Sequence, residues 1–131
     1  MGPQPSSHRT ARGRAAERRG RRAEWLCVLR LILTGWRILG RRVSGPRGSG
    51  IGEIDLVARR GRTVAFIEVK ARDDTGDALE SVRAAQQARL VRAAESFMAR
   101  HPALINCTIR FDVMTVGSWP WPRHYGDAWR P

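Results

Sequence analysis

Acidic residues and one lysine interrupt an apolar stretch between residues 52 and 72. Glu53, Asp55, Glu68 and Lys70 lie within the segment GEIDLVARRGRTVAFIEVKAR, which is otherwise rich in apolar and β-branched residues. Two or three carboxylates held close together cannot all stay ionised without a compensating cation, and a single lysine is too little. Because all-oxygen ligands suit Mg²⁺ or Mn²⁺, these residues predict a divalent metal site.

The chemistry available to such a site is hydrolysis of a phosphodiester bond. A divalent metal activates water and neutralises charge that develops on a phosphate. Lys70, the only lysine of the chain, can orient the attacking water or stabilise that developing charge. We therefore predict Asp55, Glu68 and Lys70 as catalytic residues. The alternative interpretation is a structural salt bridge that joins Asp55 or Glu68 to Lys70 or to a nearby arginine.

A β-hairpin is expected to bring these residues together. Residues 52–59 and 63–71 are predicted strands, joined by a tight turn around Gly61. Side chains alternate between the two faces of a strand, so Glu68 and Lys70 point the same way. A short hairpin loop then places Asp55 directly opposite Glu68 or one step diagonal to it.

Both faces of this hairpin are apolar. Val57, Val64 and Phe66 share the face of Asp55, and the opposite face is predicted to hold Ile54, Leu56, Ala58, Ala65, Ile67 and Val69. A hairpin that is apolar on both faces is expected to be covered by helices on both.

The remaining segments predict an α/β fold with a mixed sheet flanked by helices. Hydrophobic periodicity, glycines and prolines predict a helix over 23–34, a strand over 36–43, a flexible loop over 44–50, an acidic loop over 71–78, a helix over 79–100 and a strand over 108–116. On composition, residues 1–21 are a disordered basic arm, residues 22–117 are the domain, and residues 118–131 are an irregular tail rich in Trp and Pro.

Net charge points to a polyanionic partner. The chain carries +12 at pH 7, and about half of the excess lies in the arginine-rich residues 1–23. Such a charge is typical of proteins that bind nucleic acid, although coding bias and solubility also account for arginine richness. Cys27 and Cys107 lack metal-like spacing and predict reduced thiols in a cytoplasmic protein. No apolar stretch reaches the length of a membrane span, so no membrane partner is expected.

The combination of Asp55 with Glu68-Val69-Lys70 resembles the PD-(D/E)xK nuclease superfamily. More closely, GEIDLVAR followed by FIEVKAR is similar to the YraN-like family of uncharacterised bacterial proteins, a UPF-type family with a predicted endonuclease fold. The likeness runs over residues 22–117. It implies a restriction-endonuclease-like core similar to archaeal Holliday-junction resolvases, with Asp55 and Glu68 as metal ligands and Lys70 as the catalytic lysine. Ile54 stands where the superfamily name has proline.

Three further residues are secondary candidates. Glu24 opens the predicted first helix, where it either interacts with the helix dipole or, as the resemblance implies, reaches the metal. Glu53 is either a second acid behind the site or the partner of an arginine. Gln87 either bridges to the site from the second helix or belongs to a polar helix face.

Other polar and aromatic residues are expected to be structural. An ion pair with Arg110 or a helix arginine is the expected role of Asp112, and no histidine is assigned to catalysis. Trp119, Trp121 and Trp129 are expected to cover the sheet edge or core, with stacking on unpaired bases as the other interpretation.

The sequence is compatible with three functions. The first is an Mg²⁺- or Mn²⁺-dependent endonuclease that acts on DNA rather than RNA, on branched or single-stranded structures, recognised by shape and backbone charge. A resolvase-like enzyme needs two sites and hence a homodimer. The second is a non-catalytic nucleic-acid-binding protein of the same fold. The third is an interaction protein that docks on a partner through its tryptophan-rich tail.

Overall fold

A computed structural model describes residues 7–45, 51–71, 84–117 and 121–131, with side chains from residue 20 onward. In chain order the elements are α1 (Ser7–Leu33), β1 (Arg37–Val43), β2 (Ile54–Arg60), β3 (Thr63–Lys70), α2 (Ala84–Ala99), β4 (Thr108–Thr115) and β5 (Arg123–Trp129). A single 3₁₀ turn, Pro102–Leu104, follows α2.

The five strands form one mixed sheet in the order β1-β2-β3-β4-β5. Strands β3 and β4 are parallel, with a connection that carries α2, and the other neighbours are antiparallel. The predicted fold class, an α/β restriction-endonuclease-like core with a mixed sheet flanked by helices, is confirmed.

The predicted hairpin is formed by β2 and β3. Arg60 pairs with Thr63 across a two-residue turn, in which Gly61 has a φ of 61°. A positive φ favours glycine because it lacks a Cβ. The register continues to Leu56 opposite Ile67, and one further step along both strands brings Asp55 beside Glu68.

Each face of the sheet packs against one helix. On the α2 face, Val57, Val64 and Phe66 pack with Leu90 and Phe97. On the α1 face, the buried cluster comprises Cys27, Val28, Leu31, Trp36, Leu56, Ala58, Ala65, Ile67 and Met114. Burial of apolar surface on both faces stabilises the fold by about 25 cal/mol for each Å² removed from water. The expectation of helices on both faces of the hairpin is confirmed.

The alternation of side chains between the two faces of the sheet is interrupted at the first residue of β2. Ile54 was expected on the face of Leu56, but it packs in the α2-side cluster with Val57. The ladder is irregular here: Arg42 has a φ of 50° and lies between two β1 residues that pair with Leu56 and Ile54. The strand path therefore turns at the end of the sheet where Asp55 lies.

The first helix is longer than predicted. Helix α1 begins at Ser7 rather than at residue 23, so the backbone of residues 7–21, expected to be disordered, is helical. Alanine, arginine and glutamate in this segment are good helix formers, a preference that an argument from low apolar content overlooks. Residues 1–6 lie outside the described residues.

The prediction of an irregular tail is wrong for residues 123–129. They form β5, which pairs antiparallel with β4 and completes the sheet. Trp129 stacks on Phe111 with ring centroids 4.2 Å apart, so its expected covering role is confirmed. Trp121 is partly exposed, and Trp119 lies outside the described residues. The prolines before β5 and Gly126 within it obscure the strand pattern in the sequence.

Several predictions concern segments that are not described. The acidic loop from residue 72 onward, the start of the second helix before Ala84 and most of the loop over 44–50 lie outside the described residues. Cys27 and Cys107 are free, as expected. No helix in the described ranges combines the length and the apolar character that a bilayer crossing requires.

Candidate active site

Asp55, Glu68 and Lys70 converge at one end of the β2–β3 hairpin. The backbone N–H of Val69 donates to Asp55 Oδ2 at 2.8 Å, which joins the two halves of the motif. Lys70 Nζ lies 3.4 Å from Glu68 Oε1. The two side chains are only 18% and 15% exposed, so water screens their charges little.

Helix α2 adds an amide to this cluster. Gln86 Nε2 donates to Glu68 Oε1 at 3.3 Å. Gln86 is therefore a neutral donor to the carboxylate. Gln86 and Lys70 thus both contact the same oxygen, Glu68 Oε1, which fixes the direction of the carboxylate.

The electrostatics of the site disfavour two ionised carboxylates. Burial, as the largest cause, and the nearby charge of Asp55 raise the pKa of Glu68 to about 7, although Lys70 and Gln86 act in the opposite direction. Burial also raises the pKa of Asp55, with Glu53 and Glu24 adding to the shift, whereas the Val69 hydrogen bond and Lys70 lower it. A divalent cation beside both carboxylates is the charge that would favour ionisation of both.

Glu24 lies near this cluster but has partners of its own. Its Oε1 accepts from Arg41 Nε at 2.9 Å and its Oε2 from Arg42 Nε at 3.1 Å. Because α1 begins at Ser7, Glu24 lies inside the helix, and the expected interaction with the dipole at a helix start is wrong. Its charge nevertheless raises the pKa of Asp55.

Comparison with known proteins identifies the family to which the chain belongs. Residues 23–116 match the uncharacterised protein family UPF0102. The chain belongs to the UPF0102 family. It is 52% identical over 116 residues to a UPF0102 protein of Paramagnetospirillum magneticum, covering 88% of this chain and 90% of that protein. It is 49% identical over 121 residues to a UPF0102 protein of Parvibaculum lavamentivorans, covering 92% and 88% respectively. The names of these relatives state the family and no activity.

The donor set of this UPF0102 protein suits a hard cation that keeps much of its water. Within the described part of the chain, no three side chains of His, Cys, Asp and Glu converge into a preformed metal cluster. Among the described residues, the hairpin brings Asp55 and Glu68 together, and these two carboxylates could hold Mg²⁺ or Mn²⁺. One or two carboxylates plus water is the usual protein contribution to an Mg²⁺ site.

The two remaining candidates lie around this pair. Glu53 is exposed just before β2, where its charge raises the pKa of Asp55; the expected ion pair with an arginine is not formed within the described ranges. Gln87 is half-buried on α2 next to Gln86. The glutamine hydrogen bond to Glu68 that the structure identifies comes from Gln86 rather than Gln87.

A second buried polar cluster lies on β4 and β5. Arg110 donates to Asp112 through Nε and Nη2, both at 2.8 Å, which confirms the expected ion pair. Asp112 also lies 2.7 Å from His124 Nε2 and accepts from the backbone N–H of Asp127 at 2.9 Å. Sequence reasoning missed His124 because β5 was not predicted. An Arg-x-Asp alternation within an apolar strand was the only available signal.

Proposed function

We propose that this UPF0102 protein is a metal-dependent nuclease that hydrolyses phosphodiester bonds in DNA. The observation that supports the proposal is the convergence of Asp55, Glu68 and Lys70, partly buried at one end of a hairpin, with the pKa of Glu68 raised to about 7. Perturbed carboxylates beside a buried ammonium are typical of catalytic sites. The net charge of +12 suits a polyanionic substrate.

In this proposal Asp55 and Glu68 hold Mg²⁺ or Mn²⁺. The bound metal would supply Lewis acidity toward a phosphate oxygen and a lowered pKa for water. Gln86 and the Val69 N–H keep the two carboxylates in place. Pre-organised groups of this kind need no rearrangement when charge develops.

Lys70 acts on the substrate. Its ammonium is positioned through Glu68 and can donate to the attacking water or to a non-bridging phosphate oxygen. Because it is largely buried, its charge acts on a phosphate at a lower effective dielectric constant than that of bulk water. Replacing this ammonium should impair cleavage more than binding.

The preferred substrate is branched or single-stranded DNA, on the resemblance to junction resolvases. A non-catalytic nucleic-acid-binding protein of the same fold is the second candidate. It is favoured by the positive charge, which serves binding without cleavage, and by the small number of carboxylates at the site. A homodimer would give a resolvase-like enzyme its two sites.

Cleavage assays with matched variants test the proposal. Four-way, flapped, single-stranded and duplex DNA, together with RNA, are incubated with Mg²⁺, Mn²⁺ or chelator. The wild type should cut with metal only, and Lys70→Ala should lose about 10²-fold or more in rate. Arg59→Ala on the same hairpin is the control and should cut at a nearly normal rate.

Binding measured in chelator separates the two candidate functions. The nuclease proposal predicts that Lys70→Ala binds the substrate with nearly wild-type affinity. Tight binding with no cutting under every metal condition would favour the non-catalytic protein. If wild type and Lys70→Ala cut equally, the cleavage belongs to a contaminant and the proposal fails.

A further inference from the structure

A cavity lies on the α1 face of the sheet, apart from the carboxylate site. It has a volume of about 250 Å³, and its walls include Arg30, Trp36, Arg60, Arg110, His124 and Gly126. None of these residues belongs to the Asp55–Glu68–Lys70 site. Arg60 is the last residue of β2, whereas Asp55 is near the start of that strand, so the cavity and the carboxylates lie toward opposite ends of β2.

The cavity is strongly basic. Arg60 Nη1 donates to the carbonyl oxygen of Thr34 at 3.3 Å, and Arg30 Nη1 donates to the carbonyl oxygen of Pro122. These carbonyls orient the two guanidinium groups without neutralising them. Of the three arginines in the wall, Arg110 has a carboxylate partner, Asp112, and the other two have none among the described residues. None of the described residues that line the cavity is acidic, so a net positive charge faces its interior.

One donor in this wall lacks an acceptor. Arg30 Nε is buried and has no hydrogen-bond partner in the described part of the chain. A buried donor without an acceptor carries the full cost of its desolvation. Arg30 also lines the cavity, so its guanidinium adds positive charge to the wall, while the Nε atom itself is enclosed by the protein.

The indole of Trp36 organises the arginines. The guanidinium carbons of Arg60 and Arg110 lie 4.6 and 5.3 Å from its ring centre, where the π-system attracts a cation. Trp36 is only 4% exposed, so the ring supports the arginines rather than offering a stacking surface to a base. At Gly126 a Cβ would lie 2.8 Å from Arg110 Nη2, so glycine leaves room for that guanidinium.

We propose that this cavity binds a phosphate group. Planar guanidinium forks match the oxygens of a phosphate and form short, charge-assisted hydrogen bonds with them. The volume lies below the roughly 300–1,000 Å³ of pockets that enclose whole drug-sized ligands, so the cavity suits a phosphate with little attached to it. The group could belong to a nucleic acid or be free phosphate; either source presents the same chemistry.

The position of the cavity is compatible with a phosphate of a bound strand. Arg30 lies about 9 Å further along the axis of α1 than Glu24, and Glu24 contacts Arg41, which pairs with the Leu56 next to Asp55. The phosphate proposal does not require cleavage at Asp55 and Glu68. It stands or falls separately from the nuclease proposal when binding is measured in chelator.

Calorimetric titration in EDTA tests the cavity. The full chain is titrated with inorganic phosphate, with a short 5′-phosphorylated oligonucleotide and with the same oligonucleotide lacking the phosphate. At least one of these ligands should bind saturably, and Arg60→Gln should weaken that binding roughly tenfold through the loss of a charge-assisted contact. The control is Arg59→Gln, which removes the same charge from the neighbouring residue outside the cavity and should change the affinity less than twofold.

The three ligands distinguish the source of the phosphate. Arg60-dependent binding of the 5′-phosphorylated oligonucleotide alone indicates a strand end, equal binding of both oligonucleotides indicates an internal phosphate, and binding of inorganic phosphate alone indicates a free ligand. The proposal is overturned if no ligand binds saturably or if Arg59→Gln and Arg60→Gln have equal effects. Arg60 is exposed, and circular dichroism checks that the variant is folded. Arg30→Gln should weaken the binding of the same ligand and provides a second test.

Discussion

The backbone N–H of Val69 donates to Asp55 Oδ2 at 2.8 Å. This bond ties the acid of β2 to the residue between the glutamate and the lysine of β3, so the two halves of the motif are one structural unit. It also lowers the pKa of Asp55, which burial raises. The hydrogen bond therefore partly offsets the cost that burial imposes on a charged Asp55.

The first prediction concerns the pH dependence of stability. The pKa of Glu68 is raised from 4.5 to about 7 in the folded protein, so the folded state binds more protons than the unfolded state within that window. Its contribution therefore favours the fold below about pH 4.5 and is lost as pH rises through about 7. In chelator, Glu68→Gln should exceed the wild type in stability by on the order of 2 kcal/mol at pH 8, with little difference at pH 4.5.

Urea unfolding at pH 4.5, 6, 7 and 8 measures this difference. Glu95→Gln, on an exposed carboxylate of α2, is the control and should follow the wild type throughout. A stability gap between Glu68→Gln and the wild type that does not change with pH would contradict the assignment.

The second prediction concerns divalent cations. At pH 8, Mg²⁺ or Mn²⁺ should raise the thermal midpoint of the wild type, because a ligand that binds only the folded state stabilises it by about 2.7 kcal/mol at 100 times its Kd. Asp55→Asn combined with Glu68→Gln should abolish the shift, whereas Glu95→Gln should retain it. Differential scanning fluorimetry over a metal titration gives the readout. Equal shifts in all three proteins would place the cation elsewhere.

The third prediction concerns the two arginines that Glu24 binds. The Glu24 side chain is 8% exposed and bridges Arg41 and Arg42. Glu24→Ala leaves both guanidinium groups without their partner and should cost about 2 kcal/mol of stability, less than for a fully buried pair because the arginines reach solvent. Chemical denaturation and a double-mutant cycle with Arg41→Ala measure the coupling. Additive effects of the two substitutions would mean that the ion pair contributes nothing.

The fourth prediction concerns the Asp112 cluster. Burial alone would raise the pKa of Asp112, but hydrogen bonds from His124, Arg110 and the Asp127 backbone outweigh it and lower the pKa. Asp112→Asn should therefore cost about 3 kcal/mol at pH 7. A lowered carboxyl pKa stabilises the fold above the unfolded value of 3.8, and that contribution is lost as pH falls through the folded value.

The gap between Asp112→Asn and the wild type should thus narrow on acidification below about pH 4. Asp127→Asn is the control, because it changes a neighbouring carboxylate while the contacts of Asp112 stay in place. Asp127 has a φ of 53°, a conformation that asparagine tolerates, and its backbone bond to Asp112 survives the change. A gap of constant size down to pH 3 would exclude the carboxylate charge as its cause.

Local patterns predicted most of the fold. The apolar runs around Gly61 predicted the hairpin, and its short turn limited the register to two alternatives, of which the structure has the one that places Asp55 opposite Glu68. These features depend on neighbours in the chain, and alternation carries that information along a strand. The start of α1 was misjudged because the criterion was apolar content, whereas helix propensity acts in polar segments too.

The sequence by itself determined which residues the candidate site brings together, because Asp55, Glu68 and Lys70 meet through the geometry of one hairpin. Only the tertiary structure decided what surrounds them: Gln86 reaches Glu68 from α2, and Glu24 reaches two arginines of β1. The basic cavity likewise draws Arg30, Arg60, Arg110 and His124 from four elements. Contacts between distant segments depend on how the layers pack, and no local periodicity specifies which side chains that packing brings together.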